Sequence, residues 1–167
     1  SYNPLRGHPL LTGVGPGWLC PVPHLVMAKA APWGIYFTGR SRYGEGFAHD
    51  LGHLFEQYIG RQLRLLPDAQ VIGEITYGPP KSRRKTVDWI AVLPEVVLLV
   101  EVKSAIPTEP VRLGTPDAAN AVLTKLGKAC KQIDGTAQLI ADRDPALASV
   151  PASLPVLGLA VTLEPFH

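Results

Sequence analysis

The chain has 167 residues and a mass of 18.0 kDa, a length that predicts one domain. Apolar residues make up 46% and charged residues 18%, which supports a hydrophobic core and excludes disorder over the whole length. The 16 basic residues against 14 acidic ones give a net charge of +2, which excludes a grossly basic packaging protein but allows a local basic patch.

Cys20 and Cys130 form no CxxC pair, which argues against a zinc ribbon and against a disulfide-stapled secreted module. Residues 8–28 and 145–163 lack Lys, Arg, Asp and Glu, but prolines interrupt both. Neither supplies the roughly 20 consecutive apolar residues that a spanning helix needs. No basic start and apolar run precede Trp18-Leu19-Cys20, as a signal peptide would require. The expectation is a soluble cytoplasmic protein with no membrane partner.

Residues 1–40 hold six prolines and six glycines, a composition expected to sustain neither a helix nor a central strand. They read as an arm packed on or leading into a core at 41–167, or as the edge of a longer protein. From about Gly46 to Leu66, Phe47, Leu51, Leu54, Phe55, Tyr58, Ile59 and Leu66 recur at helical spacing and predict one buried face. Gln70 to Tyr77 reads as a strand, stopped by Gly78-Pro79-Pro80, and Lys81 to Lys85 as a basic loop. Thr86–Leu93 and Val96–Val102 read as a hairpin turning at Pro94-Glu95. The apolar run Val96–Val100 predicts a strand buried on both faces. A Pro-containing connection over 104–116 leads to a second helix, with Thr115 as N-cap and Pro116 at its first position, running to about Ala141. Val156–Leu163 reads as a last strand. The order predicts an α/β fold with a central mixed sheet of about four or more strands flanked by helices.

Glu101 and Lys103 stand in or directly after the most apolar strand. Two positions apart on a strand, they share a face. A turn at Pro94-Glu95 sets Asp88 opposite Glu101, with Cβ atoms about 4.5–5.5 Å apart. Two carboxylates so close repel unless a proton or a cation lies between them. Carboxylate, carbonyl and water oxygens suit Mg²⁺ or Mn²⁺, and a lysine beside such an ion is placed to orient a water. The competing reading is a salt bridge at the end of the sheet.

With Glu56 on the first strong helix, Asp88 and Glu101-Val102-Lys103, in this order of elements, the chain resembles the PD-(D/E)xK nuclease superfamily over about residues 44–165. Thr86-Val87 stands where that family's Pro would precede the Asp. The resemblance implies a restriction-endonuclease-like fold and metal-dependent hydrolysis of DNA phosphodiesters, with RNA not excluded. It implies that Asp88, Glu101 and the Val102 carbonyl bind the metal, that Lys103 positions the attacking water, and that Glu56 completes the site. Gly52 and Gly60, one turn to either side of Glu56, then read as clearing room for substrate or metal, with close helix–sheet packing as the alternative.

Lys81, Arg83, Arg84 and Lys85 read as a phosphate clamp or, equally, a solvated loop. Lys125, Lys128 and Gln132 share a helix face with Lys131 adjacent, and Gln132 is the candidate there for a contact near the site; Glu74 is a further candidate for the same pocket. His49 and His53 have the i, i+4 spacing of zinc peptidases, but Asp50 stands where those need Glu and no third ligand is evident. A catalytically silent binding or assembly module on the same scaffold is the second reading. A double-strand cut by so small a domain would require two copies, so a homodimer, or membership of a larger protein or complex, is also expected.

Overall fold

Three prolines that composition reads as helix breakers instead begin helices. The computed structural model describes residues 3–104 and 115–164. In it Pro4 opens a 3₁₀ turn at Pro4–Arg6, Pro23 opens α1 (Pro23–Ala30) and Pro32 opens α2 (Pro32–Tyr43). At the first helical position the missing N–H would have had no intrahelical partner and the fixed φ is already helical. The expectation of a helix-free stretch over 1–40 is therefore corrected: what matters is where each proline falls. Gly34 lets the two helices meet, since a Cβ there would lie 2.2 Å from the Ala28 carbonyl oxygen. Gly44 (φ +75°) ends α2 in a conformation that other residues rarely adopt.

Compactness divides the chain into two units, Ser1–Leu51 and Gly52–His167, where length alone predicts one domain and composition sets its boundary after residue 40. The division falls inside α3 (Glu45–Leu63). The half-buried stripe of α3 in the second unit is Gly52, Phe55, Glu56, Ile59, Gly60 and Leu63, a spacing of three and four residues. Leu54 and Tyr58, expected on the buried face, lie beside this stripe and are 58% and 49% exposed.

The second unit is built on a four-stranded sheet of order β1-β4-β5-β6. β1 (Gln70–Gly73) runs antiparallel to β4 (Trp89–Val92), which runs antiparallel to β5 (Val97–Lys103), which runs parallel to β6 (Val156–Thr162). A parallel pair needs a long crossover, and the chain between β5 and β6 contains α4 (Pro116–Ala141). The fold is α/β with a mixed sheet, as expected. Residues 105–114, most of the expected connection, lie outside the described residues.

The expected strand 70–77 is two strands. β2 (Thr76–Tyr77) leaves the main sheet and pairs with β3 (Arg84–Lys85), part of the expected basic loop, as a separate ribbon. Ile75 causes the break: its N–H is taken by the Thr86 hydroxyl at 2.9 Å and its carbonyl accepts from Thr86 N at 3.0 Å.

β5 lies between two neighbours, and Val97, Leu99 and Val100 are at most 1% exposed. Leu99 faces the same side as Ile90 across the hairpin, in a core with Val87, Val97, Ile140, Leu147 and Val150. α4 packs on this side, where a Cβ on Gly158 would strike Ile133 at 2.4 Å. Trp89 alternates to the other side and packs on α3.

Candidate active site

The hairpin holds the register that a two-residue turn at Pro94-Glu95 predicts: Leu93 N donates to Val96 O at 2.9 Å, and Trp89 pairs with Val100. The next pair along is Asp88 and Glu101. There the ladder stops, and the Asp88 carboxylate replaces it: Oδ2 accepts from Val102 N at 2.7 Å. Asp88 thus sits over the end of β5 next to Glu101. Val102 enters the site through this N–H.

Glu101 is 1% exposed. Lys103, on the same face, donates from Nζ to Oε1, while Oε2 is buried without a hydrogen-bond partner among the described residues. Burial is the main cause that pushes the Glu101 carboxyl above the usual glutamate range; Lys103 opposes the shift and the Asp88 charge adds to it. Burial likewise raises Asp88, against the Val102 hydrogen bond and Lys103 and with the charge of Glu74. Glu56 is raised by burial and then by Asp88, with His53 opposing. The Asp88 charge, just ahead of β4, therefore disfavours ionisation of both Glu56 on α3 and Glu101 near the end of β5.

Neutral groups fix their spacing. Trp89 Nε1 donates to the Glu56 carbonyl at 3.0 Å, and Arg64 lies 4.8 Å over the Trp89 ring. A Cβ on Gly60 would lie 2.3 Å from that ring. The expectation that Gly60 opens room for substrate is thereby corrected: it allows close packing of α3 on the sheet. A Cβ on Gly52 would meet Ser104 Oγ at 3.0 Å. On the opposite side Val87 N donates to Thr136 Oγ1 (3.1 Å), Thr136 donates to Gln132 O (2.9 Å), and Gln132 Nε2 donates to Thr86 O (2.7 Å). Thr86 and Thr136 are at most 1% exposed, so this clasp ties the segment before Asp88 to α4. Gln132 thus holds the backbone two residues ahead of Asp88. Nothing in the sequence distinguishes two buried threonines from ordinary surface ones, and only the indole of Trp89 hints at its role.

The structure gathers most of the expected nucleic-acid contacts. Arg83, Arg84, Lys85 and Gln132 line one open cavity of about 630 Å³, together with Tyr77 and Lys131. Lys81 is exposed on the same loop and does not line it. Lys85 also pairs with Glu74 at 2.8 Å, which raises the Lys85 pKa, and its charge lowers those of Asp88 and Glu56. The cavity and the carboxylates are thus electrostatic neighbours.

His53 and His49 are exposed; His53 Nε2 lies 2.9 Å from Gln57 Nε2, and Nδ1 lies 3.9 Å from Glu56 Oε2. Among the described residues no three His, Cys, Asp or Glu side chains converge as a ligand set, so the histidine pair gains no third zinc ligand. Mg²⁺ makes a smaller demand: one or two carboxylates, with waters and substrate phosphates completing its shell. Asp88 and Glu101 fit it, because the partnerless Oε2 and the mutual repulsion are both relieved by a cation.

Comparison of the chain with protein-family models, curated proteins and solved structures finds no match.

Proposed function

We propose that the chain is a divalent-metal-dependent nuclease of the PD-(D/E)xK kind, hydrolysing phosphodiester bonds of DNA. The observation that carries the reading is the buried Glu101 with an oxygen that no group among the described residues satisfies, beside Asp88 and two residues from Lys103. The element order helix, antiparallel strands, helix, parallel strand supports the restriction-endonuclease-like label.

In this reading Asp88, Glu101 and the Val102 carbonyl would hold Mg²⁺ or Mn²⁺, and Glu56 would add negative charge beside them. A bound ion supplies Lewis-acid polarisation of the phosphoryl oxygen and charge neutralisation. Lys103 Nζ, beside Glu101 Oε1, orients the attacking water and offsets the charge that builds on the phosphate. The Asp88–Val102 hydrogen bond keeps the acceptor carboxylate in place. Arg83, Arg84 and Lys85 neutralise backbone phosphates, which makes affinity salt-dependent and largely independent of sequence.

The test is cleavage of plasmid, linear and single-stranded DNA with Mg²⁺ or Mn²⁺. Asp88→Asn, Glu101→Gln and Lys103→Ala are expected to lose activity while remaining folded. Asp88→Asn retains an oxygen for Val102 N–H, so its effect reports on charge alone. Full activity in Asp88→Asn or Lys103→Ala refutes the mechanism. Absence of cleavage together with no specific Mn²⁺ binding to the wild type selects the silent-module reading.

A further inference from the structure

We infer that the cavity between the β2–β3 ribbon and α4 is a subsite for one unstacked nucleotide of a single DNA strand, its base on Tyr77 and its phosphates on Arg83, Arg84 and Lys131. The inference rests on the nuclease reading for its context and not for its geometry. The volume, about 630 Å³, falls within the range of pockets that take small organic groups. An unpaired nucleotide can place its base face against the wall of this open cavity, whereas the bases of a duplex are stacked on one another and offer no free face.

The lining chemistry matches the two halves of a nucleotide. No lining side chain is acidic. Arg83, Arg84 and Lys131 make no ion pair among the described residues, whereas Lys85 is held by Glu74. Tyr77 and Arg84 are direct cross-strand partners in the ribbon, so their side chains leave the same face of it. An aromatic face beside a cation is the arrangement on which single-stranded bases stack while their phosphates are neutralised.

Gly135 is the independent observation. It lies one turn beyond Lys131 on α4 and lines the cavity, and a Cβ built on it meets nothing within 4 Å. Glycine inside a helix is disfavoured by about 1 kcal/mol against alanine. Gly60 offsets that by close packing on Trp89, whereas Gly135, like Gly127 on the same helix, meets nothing among the described residues and so leaves its stretch of the cavity wall bare.

The subsite also adjoins the carboxylates. Lys85 lines the cavity and acts electrostatically on Asp88 and Glu56, and Gln132 lines it while holding the Thr86 carbonyl. A strand seated on Tyr77 is thereby led toward the scissile position.

The experiment is fluorescence anisotropy of the full chain in chelator, with a short labelled oligothymidylate and a duplex of equal length at one salt concentration. Removing metal separates binding from cleavage, so the failure of either idea is visible by itself. The single strand is expected to bind at least about tenfold tighter than the duplex, and Tyr77→Ala to lose roughly fivefold to a hundredfold of that affinity. Gly135→Phe, which fills the cavity, is expected to weaken single-strand binding about tenfold or more and leave duplex binding unchanged. Arg84→Glu provides a second variant on the ribbon, with folding of each checked by circular dichroism. Equal or tighter binding of duplex, or single-strand affinity indifferent to Gly135→Phe and Arg84→Glu, overturns the inference. So does displacement of the oligonucleotide by thymidine monophosphate at comparable concentration, which would assign the cavity to a free nucleotide. Cleavage lost in Glu101→Gln with single-strand binding indifferent to cavity variants would leave the nuclease standing and remove the subsite.

Discussion

Glu101→Gln tests whether the candidate site stores unfavourable energy in the metal-free protein. In the wild type the carboxylate is 1% exposed, with Lys103 on one oxygen and, among the described residues, no partner on the other. A buried acceptor left without a partner costs about 1–3 kcal/mol, and more when it is charged. Glutamine removes the charge and keeps an oxygen for Lys103 Nζ, while its amide nitrogen takes the partnerless position as a neutral group. It forfeits the charge–charge attraction to Lys103, but the raised Glu101 carboxyl shows that the cost of burying the charge outweighs that attraction. The balance favours the variant by about 1 kcal/mol, a rise of about 2–4 °C in Tm for a chain of this length.

The pH dependence fixes the sign. Folded Glu101 titrates above its reference value of 4.5, so between the two values the folded state binds more protons than the unfolded one. Stability from the neutral carboxyl is complete below the unfolded value and is lost as pH rises through the folded one. The advantage of glutamine is therefore largest above the folded value and shrinks as pH falls toward the reference value of 4.5. Differential scanning calorimetry in chelator measures it. A variant that melts below the wild type at the higher pH, or gains equally at both, refutes the reasoning. Added Mn²⁺ should stabilise the wild type by about 2.7 kcal/mol at a hundredfold excess over Kd and leave the variant unmoved.

Three further outcomes follow from the same contacts. Gly60→Ala drives a methyl to 2.3 Å from the Trp89 ring and should destabilise by about 1–3 kcal/mol in urea titration, whereas Gly52→Ala meets only the movable Ser104 Oγ and should stay within about 0.5 kcal/mol of the wild type. Thr136→Val leaves the buried Val87 N–H unpaired, at about 1–3 kcal/mol, with faster amide exchange at Val87; unchanged exchange there would contradict the clasp. Because Glu56, Asp88 and Glu101 are all raised, protons compete with the cation, and Mn²⁺ affinity by calorimetric titration should climb as pH increases through the acid range. An affinity that falls over that range would count against a carboxylate site.

The parts of the fold legible in the sequence are those set by neighbours close along the chain. A two-residue turn at Pro94-Glu95 and period-two alternation are enough to put Asp88 against Glu101 and Lys103 on the Glu101 face. The parts that were not legible depend on distant partners. The strand over 70–77 breaks because a hydroxyl 11 residues on takes the Ile75 N–H. The role of Gly60 depends on an indole in β4, and the cavity exists because Gln132 on α4 reaches a carbonyl 46 residues earlier. The helices of the first unit were hidden for another reason: composition counts prolines, while a helix responds to their position.

The distant contacts explain why a cluster of mutually repelling carboxylates can be held together. Besides the Asp88–Val102 and Lys103–Glu101 bonds, uncharged groups brace the elements around it: the Trp89 indole on the Glu56 carbonyl, Gln132 on the Thr86 carbonyl, and Thr136 under the Val87 N–H. None of these uncharged bonds changes when Glu56, Asp88 or Glu101 gains or loses a proton, so repulsion is not relieved by the elements drifting apart. The remaining outlets are a proton or a cation at the carboxylates themselves. The Glu101–Lys103 ion pair expected at the end of the sheet is present, and among the described residues it leaves Glu101 Oε2 without a partner, which is the feature on which the proposed metal site rests.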